Sequence, residues 1–188
     1  MNYIIDITLR TRSLVLTNLG FYPNLTVASR GTFINTTIGE LRKSATNLKE
    51  AQTELSLRIS DLDEGSMEKI NPTDLKIEYV PYPNMPTFYV FSIWEAIMEI
   101  IVAAFRVSTV ALSTLNDADP TTFFIIKNSL NTILLALKSS TNAIIDESDK
   151  ARSDNMAVFL YLLLAASCSL FLSLAFLIPV INKIKKGK

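Results

Sequence analysis

Histidine is absent from the 188 residues, and cysteine occurs once, as Cys168. Without them there is no Cys/His metal site, no disulfide framework and no histidine-activated nucleophile. Glycine occurs five times, at positions 20, 31, 39, 65 and 187, so none falls between Gly65 and Gly187. That interval cannot hold a phosphate-cradling glycine loop. An excess of one charge is also missing. Eighteen basic residues balance eighteen acidic ones, and no basic field points to nucleic acid. No enzyme activity and no cofactor is expected, although the many serines and threonines leave a Ser–Lys arrangement open. The opening run Met1-Asn2-Tyr3-Ile4-Ile5-Asp6 lacks a basic n-region and an apolar h-region, so it is not read as a signal peptide.

What the chain does have is one long uncharged run. From Met156 to Ile178 no charged residue occurs. At about 1.5 Å per residue this covers roughly 35 Å, enough for a hydrocarbon core of about 30 Å with slight tilt. A core helix of this length would keep a polar stripe. A transmembrane helix is therefore expected over residues 156–181, with the lipid bilayer as first partner.

Ahead of it, periodicity predicts further helices. Residues 3–19 form the first, followed by a linker over 20–34 containing Gly20, Pro23 and Gly31. The second, 36–64, carries Ile38, Leu41, Ala45, Leu48, Gln52, Leu55, Ile59 and Leu62 in steps of three and four, a heptad seam with one polar position. Asn35 is its N-cap candidate and Gly65 its C-cap candidate. Residues 66–89 hold Pro72, Pro81, Pro83 and Pro86 among tyrosines and Phe88, which predicts an ordered loop or short extended segment packed over the bundle end. A third helix is predicted over 90–116, with a stripe from Phe91 and Trp94 to Leu115. Asp119 and Pro120 then read as N-cap and first helical residue. With no Gly or Pro from Thr121 to Ile178, one helix can run from there through the bilayer, its seam being Ile126, Leu130, Ile133, Leu137, Ser140 and Ile144. Between Asp146 and Asn155 only charge pairs such as Asp146–Lys150 support it.

The expected fold is all-α: an up-down four-helix bundle, residues 1–155, whose last helix continues into a single transmembrane helix, 156–181, and a basic tail, 182–188. The first helix of such a bundle starts beside the bilayer, which suggests a segment of a longer membrane protein. Four lysines follow the span within seven residues, against two basic residues on its other flank. The lysines place the C-terminus in the cytoplasm and the bundle outside, extracellular or lumenal. A tail-anchored topology with a cytosolic bundle is the alternative. Two sequons, Asn24-Leu25-Thr26 and Asn35-Thr36-Thr37, mark Asn24 and Asn35 as glycosylation candidates, whereas proline blocks Asn71-Pro72-Thr73.

Among smaller patterns, Asp61-Leu62-Asp63-Glu64-Gly65 begins like a calcium loop but has its glycine at the fifth position and no glutamate at the twelfth. It reads as a solvated helix end. Ala165, Ser169 and Ser173 stand four apart in the span, a small-residue face for helix contact, unless the serines bond back to their own helix.

Phe91-Ser92-Ile93-Trp94-Glu95-Ala96, the run Phe123 to Asn131, Ser139-Ser140-Thr141, Asp146-Glu147-Ser148-Asp149 and the ending Ile178-Pro179-Val180-Ile181 together resemble the ciliate TmcB-like transmembrane proteins. The resemblance is best over residues 90–186. It implies an extracytoplasmic helical module between spans of a large multi-pass protein, with PAS or cyclase parts, where present, beyond this chain. It carries no catalytic residues. The expected function is a receptor-like or sensory membrane module, self-associating or joined to other membrane subunits, in a plasma or ciliary membrane. The alternative is a structural or assembly subunit with no ligand of its own.

Overall fold

The computed structural model describes residues 2–22, 24–59, 62, 64–79 and 87–186, with 172 and 174–186 described by backbone alone. The chain is mostly helical and falls into two compact units, Met1–Ala143 and Ile144–Lys188. Its helices are α1 (Asn2–Asn18), α2 (Val27–Ile59), α3 (Glu64–Ile70), α4 (Ile93–Val107), α5 (Pro120–Asn128) and α6 (Leu134–Lys186). Strands β1 (Leu75–Tyr79) and β2 (Thr87–Phe91) pair antiparallel, Leu75 opposite Phe91 and Tyr79 opposite Thr87.

The core of the first unit forms where α1 meets α2, α2 meets α4, α4 meets α5 and α5 returns to α1. Ile4, Ile7 and Leu14 of α1, Leu41, Ala45 and Leu48 of α2, Ile100 and Ala104 of α4, and Phe124 and Ile125 of α5 are buried in it. The predicted seam of the second helix is thus the buried face. Gln52, its polar position, donates from Nε2 to the Trp94 carbonyl at 3.0 Å.

Helix ends depart from expectation where capping side chains decide them. Helix α2 begins nine residues before the predicted start, so Asn35 lies inside it and is not its N-cap. The Thr26 hydroxyl accepts from the Ser29 backbone N–H at 3.2 Å, which satisfies a free amide of the first turn. Gly31 is carried within the helix. Helix α4 begins at Ile93 rather than at 90, because Ser92 and Glu95 form a capping box. The Ser92 N–H, and then its hydroxyl, hold the Glu95 carboxyl below the ordinary carboxylate range. Phe91 is taken up by β2 instead. The same helix stops at Val107, well short of 116. Arg42 reaches its end, donating from Nη2 to the Ser108 carbonyl at 2.9 Å and from Nε to Ser108 Oγ at 3.0 Å, and so satisfies a terminal carbonyl. Helix α3 occupies residues upstream of Pro72 where only loop was expected. The hairpin fills the expected extended segment, so the unit is not purely helical.

The last helix starts as predicted: Asp119 accepts from the Thr122 N–H at 2.9 Å and Pro120 follows. It is not uniformly α-helical. Residues Ser129–Ile133 form a π turn, in which the Leu134 N–H reaches back five residues to the Ser129 carbonyl. The extra residue re-phases the predicted seam: Ser129 and Ile133 are buried, while Leu130 faces outward at 38% exposure. Beyond the turn, α6 is unbroken to Lys186, through 146–155. Among the described residues no ion pair joins Asp146 to Lys150, so the expected charge support is absent there. Helix propagation from both sides, which adds one hydrogen bond per residue fixed, suffices. Among the described residues this is the one helix long and apolar enough to cross a membrane, and none of its apolar window is buried. Asp61, Asp63, residues 80–86, Gly187 and Lys188 lie outside the described residues, and with them parts of the calcium-loop-like run, the proline-aromatic loop and the basic tail.

Two glycines should respond in opposite directions to the same substitution. Gly20 ends α1 at φ 78°. The Phe21 N–H reaches the Leu16 carbonyl at 3.0 Å and the Gly20 N–H the Thr17 carbonyl at 3.3 Å, the paired bonds of a Schellman end. Gly39 sits within α2 with nothing near the place a Cβ would take. Gly20→Ala should lower stability by about 1 kcal/mol, and Gly39→Ala should raise it by about 0.5–1 kcal/mol. Denaturant unfolding of the two variants beside the wild type checks both signs.

Candidate ligand cleft

Helix α1 presents Arg12, Val15 and Leu16 along one side, spaced to share a helix face. Against it stand Phe123, Ile126 and Lys127 of α5, Asn131 of the π turn, and Asp117 of the preceding connection. Between them lies a cleft of about 300 Å³. Val15 is buried and Leu16, Phe123 and Ile126 are half-buried, whereas Arg12, Asp117, Lys127 and Asn131 are exposed. The arrangement is an apolar interior with charged and amide groups towards solvent. The volume lies at the lower bound for small-molecule sites, which combine apolar lining with a few placed polar groups.

The elements around the cleft are fixed from the hairpin side. Asn128 is 2% exposed, and its carboxamide embraces one strand residue. Its Oδ1 accepts from the Glu78 N–H at 3.1 Å, and its Nδ2 donates to the Glu78 carbonyl at 2.8 Å and to the Phe124 carbonyl at 3.2 Å. The outer edge of β1 is thus closed by a side chain where another strand would pair. Lys127 lies 3.5 Å from the Glu78 carboxylate. Tyr79, next along the strand, rests on Phe124 with ring centroids 5.4 Å apart and donates its hydroxyl to Glu99 at 2.8 Å. Two hydroxyls of the surrounding elements, Thr11 Oγ1 on α1 and Ser129 Oγ in the π turn, are buried without a hydrogen-bond partner among the described residues. Each such group costs about 1–3 kcal/mol, so the α1–π-turn contact forgoes polar satisfaction for close packing.

The residues singled out from sequence lie elsewhere. Asn24 is exposed in the connection between α1 and α2; Asn35 is exposed but helical. Ala165, Ser169 and Ser173 are exposed on α6, and the Ser173 hydroxyl donates to the Ser169 carbonyl at 2.9 Å. That serine therefore bonds back within its own helix and leaves a small, largely apolar surface. Among the described residues no group of three or more acidic, cysteine or histidine side chains is placed to hold a metal. The cleft itself was not foreseen. Its polar residues come from α1 and from the stretch Asp117 to Asn131, more than 100 positions later, and no local pattern joins the two.

Compared with protein-family models, curated proteins and solved structures, the chain matches none.

Asn128→Asp should cost about 1–3 kcal/mol, because a carboxylate cannot donate to the Glu78 and Phe124 carbonyls. Urea unfolding of the variant measures it, and Asn128→Gln should not restore the loss. Tyr79 gives a pH signature. Burial, then the hydrogen bond to Glu99 and its charge, push the hydroxyl up to about 12 from an ordinary 10.0. A raised folded value means the neutral phenol is favoured by the fold. Its contribution is complete below pH 10 and is lost as pH rises through about 12. Ultraviolet titration should show one tyrosine ionising late, and Tyr79→Phe should delete that step alone.

Proposed function

We propose that this chain is a receptor-like membrane module, in which occupancy of the α1–α5 cleft acts on the helix that enters the bilayer. One observation carries the proposal. The cleft lining runs into the π turn, with Phe123, Ile126 and Lys127 before it and Asn131 within it. The same stretch of chain continues without a break as the apolar helix α6. π turns occur often at functional sites, and packed helices move between discrete arrangements rather than bending continuously. A ligand held between α5 and the turn would bias such an arrangement.

The finer organisation belongs to the same proposal. The four longer helices preceding the span form an up-down bundle over 1–155, the span is 156–181, and the lysines of 182–188 lie in the cytoplasm. The bundle is extracellular or lumenal, Ala165, Ser169 and Ser173 meet a second copy, and Asn24, in a connection rather than a helix, is the better glycan acceptor. Kinship with the ciliate TmcB-like proteins fits this topology. The assembly alternative has its own support: Phe88 and Val90 on β2 are 63% and 62% exposed, an apolar strand surface suited to another subunit.

Orientation and coupling can be tested together. In a Cys168→Ala background, cysteine at Asn116 should react with an impermeant maleimide on intact cells, and cysteine at Asn182 should not. In the same background, Ser169→Cys reports contact between spans through its disulfide cross-linking rate. Filling the cleft by Leu16→Trp should change that rate at least about fivefold, the lower range of coupling between sites. Adding Ser148→Pro, which breaks helix α6 at a cost of about 3 kcal/mol, should abolish the change. Reversed labelling, or a cross-linking rate indifferent to the filled cleft, would leave the assembly alternative.

A further inference from the structure

We infer that the ligand of this cleft is a free α-amino acid with an apolar side chain, its carboxylate on Arg12 and its ammonium on Asp117. The inference rests on the cleft being the input site, as proposed above. It begins from the charges that line the cleft. Lys127 already faces the Glu78 carboxylate at 3.5 Å. The side chains of Arg12 and Asp117 have neither a hydrogen bond nor an ion pair among the described residues, and so do not pair with each other. One free cation and one free anion therefore border the same cavity, separated by more than an ion-pair distance.

That charge set discriminates among ligand classes. A simple anion would satisfy Arg12 and be repelled by Asp117, and a simple cation would meet the reverse. A neutral apolar molecule would leave both charges facing it unused. A zwitterion answers both. The guanidinium is a planar fork that takes a carboxylate with two parallel hydrogen bonds, and a carboxylate accepts from an ammonium. The Asn131 amide, exposed on the same lining, can donate to one group or accept from the other. Beneath them, Val15, Leu16, Phe123 and Ile126 offer an aliphatic and aromatic surface for a branched or aromatic side chain. A volume of about 300 Å³ suits one such molecule and excludes a folded peptide segment. Because the charged groups stay partly hydrated, the affinity is modest, with about tenfold riding on each charge-assisted contact.

Titration calorimetry of the full chain in lipid nanodiscs tests this with L-leucine and L-phenylalanine as probes. L-leucinamide, which lacks the carboxylate, and N-acetyl-L-leucine, which lacks the ammonium, should each bind at least about tenfold more weakly than leucine. Arg12→Gln should reduce leucine to the level of the amide and make the two indistinguishable. Asp117→Asn should do the same for leucine and its N-acetyl form. Both residues are exposed, and circular dichroism will verify that the variants fold. Equal binding of leucine and N-acetylleucine, binding unchanged in either variant, or no binding of leucine or phenylalanine overturns the ligand class. The cross-linking response to Leu16→Trp needs no ligand. A persisting response beside failed calorimetry removes the amino acid and keeps the receptor reading, whereas loss of the response with intact binding removes the coupling and keeps the ligand.

Discussion

The first unit is organised around a single carboxamide. Asn128 stands where a helix, a strand edge and a π turn meet, and its two polar atoms close the backbone N–H and C=O of Glu78. Those groups belong to an edge strand facing α5, where unpaired backbone is expensive. With the edge closed, the hairpin becomes a wall for α5 rather than a free ribbon, and a two-stranded ribbon alone is only marginally stable. Tyr79 and Phe124 then fill the space behind it. The residue after Asn128 opens the π turn, so the backbone adjustment sits where the side chain is most tightly held. The cleft on the other side of α5 inherits its geometry from this fixed point, as does the re-phased face of α6.

How much of this could be read from residues alone depends on the range of the interaction. The heptad seam of α2, the Asp119–Pro120 start and the long uncharged helix were legible because each is a local pattern with one physical cause. The Ser92–Glu95 capping box is also a local pattern, but a start placed at residue 90 on the stripe from Phe91 passes over it. Helix ends set by distant side chains were not legible. Arg42 stops α4 across 66 positions, and nothing near Val107 announces it. The π turn was hidden for the same reason: the bonds that hold Asn128 come from a strand fifty residues earlier. A cleft lined by Arg12, Asp117 and Asn131 is a fact of packing, not of spacing.

The two units are stabilised in different ways. The first has a conventional core, with Ile, Leu, Ala and Phe side chains buried from four helices. Among the described residues the second has no such interior. From Met156 to Phe171, ten large apolar side chains are exposed along α6. Withdrawing a fully exposed large aliphatic or aromatic side chain from water is worth about 1.5–3 kcal/mol, so surroundings that cover what these ten still expose contribute on the order of 10–20 kcal/mol. No fold of the described residues supplies that cover. A bilayer would, and it would also account for the hydroxyls of Ser167 and Ser173 turning back to Leu163 and Ser169. In hydrocarbon a hydroxyl has no water to bond, and the carbonyl four residues back is the acceptor always within reach. Once so engaged, Ser173 behaves as a small apolar surface, and a second helix approaching at Ala165 and Ser173 would strip no hydroxyl of its partner. The same back-bonding that would suit the helix to lipid leaves Ala165 and Ser173 free for the helix contact on which the proposed receptor depends.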